Sequence, residues 1–160
     1  MILNRQRSIR VARHALESFL RRVRRELKLE TSDVTVCFVT DAEIARMNQT
    51  FRREKGPTDV LSFPTSKQQT AHSRIRPERS IPRTRPRQNR RVNERAYLGD
   101  VAISPSIARR NARKDGRTLV SELKILILHG VLHLLGYDHE SDQGEMDRLE
   151  QRLRHRLGLT

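Results

Sequence analysis

The feature that most constrains this chain is the stretch 119–135, where apolar residues fall on nearly every side of a helical wheel. A helix apolar all round has to be buried, either inside a protein or inside a membrane. Ser121, Glu122, Lys124, His129 and His133 interrupt the run, and a stretch this short and this polar argues for a core helix over a membrane span. The rest of the chain must then supply layers that cover it.

The same stretch carries chemistry. Four helical residues turn the chain through about 400°, so His129 and His133 lie on one face, one turn apart, where both imidazoles can reach a single ion. Gly136 can take the left-handed conformation that ends a helix and let His139 swing back as a third ligand. Three neutral imidazoles suit one zinc per chain, with a fourth position left open for chemistry. Cys37 is a weak candidate for that fourth position. The ordinary alternative, buried histidines satisfied by backbone carbonyls, is good for one histidine. It is poor for three of the six histidines of the chain gathered within residues 129–139. His14, His72 and His155 share no spacing and are expected to face solvent. The H-x3-H-x2-G-x2-H spacing is also that of the metzincin proteases, whose general base is a glutamate directly after the first histidine. Here Gly130 stands in that place and can move no proton.

Around this helix, Ile9, Ala12, Leu16, Phe19, Leu20, Val23 and Leu27 recur at helical spacing. Residues 34–39 form a short strand-like run. Thr40 and Glu43 then form a capping box that opens a helix with Ile44, Met47 and Phe51 inward. Two more strands are expected over 58–63 and 98–103, the second ended by Ser104 and Pro105 in the first positions of a further helix. Gly116 breaks the pattern before the long helix. After it, Asp142 and Glu145 are placed for another capping box, leading into a helix that turns Met146, Leu149, Leu153 and Leu157 inward. The fold expected is mixed α/β (α+β): one small domain over residues 1–160, with a short mixed sheet, a central buried helix carrying the metal ligands, and surrounding helices.

Charge is unevenly spread. The chain has 33 Lys and Arg against 19 Asp and Glu, a formal +14, which favours a polyanionic partner. Residues 66–95 hold nine arginines and one lysine against two acidic residues, so more than half of that excess sits in one segment. The segment is interrupted by prolines and has almost nothing apolar to bury, and it reads as a flexible, disordered basic insert between two strands. Arg10, Arg13, Arg21 and Arg24, on the polar side of the first helix, are candidate contacts for nucleic-acid phosphates. Four Phe, two Tyr and no Trp argue against a binding surface based on base stacking alone. Cys37 is the single cysteine, so no disulfide forms within the chain. The first residues lack the continuous apolar stretch that a secretory signal needs, so none is expected. A cytoplasmic protein without a membrane partner is expected.

The 129–139 stretch, H-G-V-L-H-L-L-G-Y-D-H, resembles the signature of the bacterial endoribonuclease and rRNA maturation factor family YbeY. Met47 and Asn48 with Phe51 and Arg52 also fit. So do Pro57-Thr58-Asp59-Val60-Leu61-Ser62-Phe63-Pro64, Leu98-Gly99-Asp100-Val101-Ala102-Ile103-Ser104, and Met146 with its acidic neighbours. The resemblance covers most of the chain outside 66–95, where the family usually has a shorter connection. It implies one zinc held by His129, His133 and His139, and cleavage of single-stranded RNA in the processing of ribosomal RNA and the quality control of ribosomal subunits. It also implies a catalytic role for Arg52, whose planar fork suits a phosphoryl group. Asp138 is suited to orient a ligand imidazole, while Asp59, Asp100 and Ser62 are expected to line the site. Ser62 has no Ser-His-Asp signature around it and is not expected to be a nucleophile. A zinc peptidase and a non-catalytic assembly factor with structural zinc are the rival readings.

Overall fold

The computed structural model describes residues 1–65, 96–138 and 142–159. Its elements run β1 (Ile2–Asn4), α1 (Arg13–Glu26), β2 (Ser32–Phe38), α2 (Asp41–Phe51), β3 (Val60–Pro64), β4 (Ala96–Ile103), α3 (Pro105–Lys114), α4 (Leu119–Leu134) and α5 (Glu145–Leu157). The strands form one sheet in the order β1-β2-β4-β3. β1, β2 and β4 are parallel, and β3 runs antiparallel along the edge of β4. The 66–95 segment connects the neighbouring ends of β3 and β4, and itself lies outside the described residues.

Alternation along the strands sorts side chains to two faces. On one face Ile2, Val34, Val36, Phe38, Leu98, Val101 and Ile103 meet α1, α4 and α5 in the main core. On the other, Val39, Leu61 and Ala102 meet Ile44 of α2 and Ile107 of α3. The long apolar helix is buried as its composition requires. α4 touches α1, α3, α5, β3 and β4, and each fully buried Leu or Ile on it contributes about 1.5–3 kcal/mol. Among the described residues no helix is long and apolar enough to cross a membrane.

A register shift between Asp33 and Val34 of β2 sits opposite Gly99 of β4. Gly99 has φ +140°, and a Cβ there would lie 2.2 Å from the Phe63 carbonyl oxygen of β3. Only glycine fits so close an approach. The irregularity leaves Leu98 and Val101 on the same face, both buried beneath the helices.

Four local details differ from the sequence reading. β1 was not foreseen; three residues flanked by polar ones show no alternation, and the strand exists through its pairing with Val36, Cys37 and Phe38. α1 opens at Arg13, not at Ile9. The Gln6 side chain brackets Ile9, accepting from its amide at 2.9 Å and donating to its carbonyl at 2.8 Å, so Ile9 is buried outside the helix. The Thr40–Glu43 capping box forms as expected, but Phe51 points outward, 66% exposed, with its ring edge-on to Phe63 at 4.9 Å. Asn48 takes the inward position instead and donates to the Gly56 carbonyl. At α5 the N-cap is Gly144, and Asp142 caps alone: its carboxylate accepts from the amides of Gly144, Glu145 and Met146.

Candidate active site

From Ile125 to Leu134 every residue of α4 is buried except His129 and His133, which are partly exposed. The helix therefore presents two imidazoles at one opening in an otherwise closed surface. Their Nε2 atoms lie 3.0 Å apart and their rings meet edge-to-face at 4.6 Å. Two imidazole nitrogens that each approach zinc to about 2.0–2.1 Å at a tetrahedral angle lie about 3.3 Å apart. The pair thus fits one ion after a slight opening. Gly136 ends α4 with φ +89°, and the amides of Gly136 and Tyr137 return to the carbonyls of His133 and Leu132. This is the left-handed stop expected from the sequence, and it swings the chain away just before residue 139. His139 lies outside the described residues. Among the described residues no group of three His, Cys, Asp or Glu side chains stands where it could hold a metal.

His129 is oriented from α5. Its Nδ1 lies 2.9 Å from Oε2 of Glu150, which is 5% exposed, while Oε1 of Glu150 accepts from Nε and Nη2 of Arg154 at 2.9 and 2.5 Å. Burial pushes the Glu150 carboxyl up, but the His129 hydrogen bond and the charges of His129 and Arg154 outweigh it and hold it below the usual carboxylate value. An ionised carboxylate can only accept, so Nδ1 carries a hydrogen, and whenever the ring is neutral its lone pair is on Nε2, the atom that faces His133. Glu150 is absent from the sequence reading. The signal was present: it falls four residues after Met146, on the apolar stripe of α5, where a charge is out of place.

Gly130 faces the sheet. A Cβ on it would lie 2.5 Å from Cγ1 of Val101 and 3.3 Å from the Ser62 hydroxyl, which donates to the Gly130 carbonyl at 3.1 Å. The position that bears glutamate in the metzincins is filled here by the side chain of the neighbouring strand. Ser62 is thus engaged with the backbone of α4 at the residue that follows His129.

The remaining predicted residues lie further apart. Asp59 accepts from the Val60 amide and the Thr58 hydroxyl through Oδ1, and from Asn111 through Oδ2. The bond to Asn111, and the Ser104 amide donating to its carbonyl, tie Asp59 to α3. Asp100 lies on the face of the sheet opposite Val101 and accepts from the Tyr97 hydroxyl at 2.5 Å. Burial and that bond push the Tyr97 hydroxyl above its usual pKa. Cys37 packs on the same far face, against the core of α2, which removes it as a fourth ligand for ions at α4. Burial also raises its thiol pKa. Asp138 is partly buried at the end of the turn that leaves α4.

Arg52 is the C-cap of α2, with its guanidinium half exposed and 3.8 Å from Glu54. Its neighbour Phe51 packs on Phe63 at the end of β3. The last turn of α4 reaches that same end of β3, since a Cβ on Gly99 would touch both Leu134 and Pro64. α2 and α4 thus approach the end of one edge strand from its two faces. Of the arginines expected on the first helix, Arg10 lies before α1 and is exposed, Arg21 is exposed on α1, and Arg13 is paired with Glu17. Arg24 is tied to the Leu29 and Glu30 carbonyls and to Asp33. It closes the end of α1 and is not disposed for phosphate binding, which sequence spacing could not reveal. His14 and His155 are exposed, as expected; His72 lies outside the described residues.

Fold and site together describe a small α/β domain built around a histidine-bearing helix. The family model described as endoribonuclease YbeY matches residues 1–158. The endoribonuclease YbeY of Solibacter usitatus is 40% identical over 147 residues, covering 92% of this chain and 80% of the relative. That of Koribacter versatilis is 38% identical over 159 residues, covering 99% and 86%. The solution structure of a Thermotoga maritima protein aligns with a TM-score of 0.57 at 27% identity, covering 98% of this chain and 89% of that one. The chain belongs to the endoribonuclease YbeY family. It is accordingly a hydrolase that acts on RNA.

Proposed function

We propose that this endoribonuclease cuts single-stranded RNA at one zinc ion held by His129, His133 and His139, and that it acts in the cytoplasm on ribosomal RNA and ribosomal subunits during maturation and quality control. The observation that carries the reading is the meeting of the His129 and His133 Nε2 atoms at 3.0 Å, at the only opening along the buried half of α4 among the described residues. When bound, the metal supplies positive charge beside the phosphodiester and makes water acidic enough to react near neutral pH. Arg52 holds the phosphate's equatorial oxygens and offsets the charge that builds on them. Its approach to the same end of β3 as α4 supports that role. Asp138, next to His139, helps orient a ligand imidazole. Arg10, Arg13 and Arg21 add phosphate contacts, and the basic 66–95 segment adds affinity for RNA or ribosomes without touching the chemistry.

The test is turnover of single-stranded RNA, matched DNA and casein by the zinc-loaded full chain. Cleavage of RNA alone, lost in a folded His133→Ala variant, is the expected result. Casein hydrolysis would restore the peptidase reading. Absence of turnover on every substrate would favour an assembly factor in which zinc is structural.

A further inference from the structure

The imidazole pair has a partner that no reading of the histidine spacing contains. Glu150 comes from α5, is almost fully buried, and uses its two oxygens differently. Oε1 takes both prongs of Arg154 at 2.9 and 2.5 Å, from one turn further along the same helix. Oε2 is left facing Nδ1 of His129 at 2.9 Å. A lone buried carboxylate would be costly, and Arg154 offsets that cost without competing for Oε2. A neutral imidazole can present a lone pair from only one of its nitrogens, and which one depends on where its hydrogen is held. Holding the hydrogen on Nδ1 puts the lone pair, the metal-binding electron pair, on Nε2, the atom 3.0 Å from His133.

We propose that Glu150, steadied by Arg154, is a positioning residue that sets the His129 tautomer and ring angle for metal binding. The proposal rests on the metal-binding reading of the histidine pair. A purely structural Glu150–Arg154 ion pair would change stability but neither the tautomer nor the affinity for metal. A carboxylate on the far nitrogen of a ligand imidazole is worth about 10–100-fold in metal affinity.

The full-length protein, stripped of metal and then titrated with Zn2+ against a chromophoric chelator, gives the affinity. Long-range nitrogen–proton NMR on the same metal-free protein gives the His129 tautomer. In the wild type, His129 carries its hydrogen on Nδ1. Glu150→Met is expected to release that hydrogen to Nε2 and to weaken zinc binding by about 10–100-fold, while Glu150→Gln, which keeps an acceptor of the same length, recovers part of the loss. Wild-type tautomer and affinity within twofold in every variant that folds would overturn the proposal. Glu150→Gln alone decides if Glu150→Met does not fold, since loss of the charge still predicts weaker binding. His133→Ala separates the two ideas. Zinc affinity unchanged in that variant sinks the metal reading, and the tautomer of metal-free His129 judges the positioning by Glu150 independently.

Discussion

The Ser62 hydroxyl donates to the Gly130 carbonyl at 3.1 Å, joining the edge strand β3 to helix α4 directly between the two histidine-bearing turns. Side chain meets backbone here because residue 130 has no side chain of its own. Gly130→Ala sets two effects against each other. Alanine favours a helix interior by about 1 kcal/mol over glycine, but its Cβ would come to 2.5 Å from Val101, and overpacking costs about 1–3 kcal/mol. We predict a net loss, measured by urea unfolding. A double-mutant cycle with Val101→Ala should show favourable coupling. A Gly130→Ala protein more stable than wild type would contradict this packing.

Ser62→Ala removes one hydrogen bond and no reacting group. Stability should fall by about 0.5–1.5 kcal/mol, with the RNA cleavage rate little changed at saturating metal. Loss of cleavage in a folded variant would instead make Ser62 part of the chemistry.

Arg52→Ala should lower RNA cleavage by about 10²–10³-fold, as removal of a group that stabilises transition-state charge does. Bound metal, measured by emission spectroscopy, should be unchanged. Arg52→Lys should recover only a fraction, because lysine keeps the charge and loses the planar fork. Full activity in Arg52→Ala would remove this residue from the mechanism.

The capping box at α2 makes stability depend on pH. Glu43 accepts from the Thr40 amide and hydroxyl, and these bonds hold its carboxyl below the ordinary value. A lowered folded pKa means the unfolded chain binds the proton first. The contribution is therefore full at neutral pH, above the unfolded value, and is lost as acid carries the pH down through the folded one. Thr40→Ala should cost about 1 kcal/mol at pH 7. The stability gap between wild type and Glu43→Gln should close in acid; a gap constant from pH 7 to pH 3 would contradict the assignment.

Local signals in the sequence marked much of this molecule. The α4 helix, the Thr40 cap, Ser104 before Pro105, the glycine stop at Gly136 and the paired histidines are each written within a few consecutive residues, because helical periodicity and capping act over one or two turns. The fold class follows from the order of those segments, and the family from four motifs in series. β1 was not legible, since three residues become a strand only when β2 is beside them. Nor was the outward turn of Phe51, decided by Phe63 across the strand edge.

That two imidazoles share one helical face, and that no glutamate follows the first, is already written in the spacing of residues 129–133. Tertiary structure alone decided what surrounds them. α5 folds back to set Glu150 against His129, and β4 fills the space beside Gly130 with Val101. The alternation of β2 and β4 carries Cys37 and Asp100 to the far side of the sheet. The division has a physical reason. A helix fixes neighbours three and four residues apart through its own backbone bonds, whereas contacts between distant segments arise from burial and close packing, which depend on the whole assembled core.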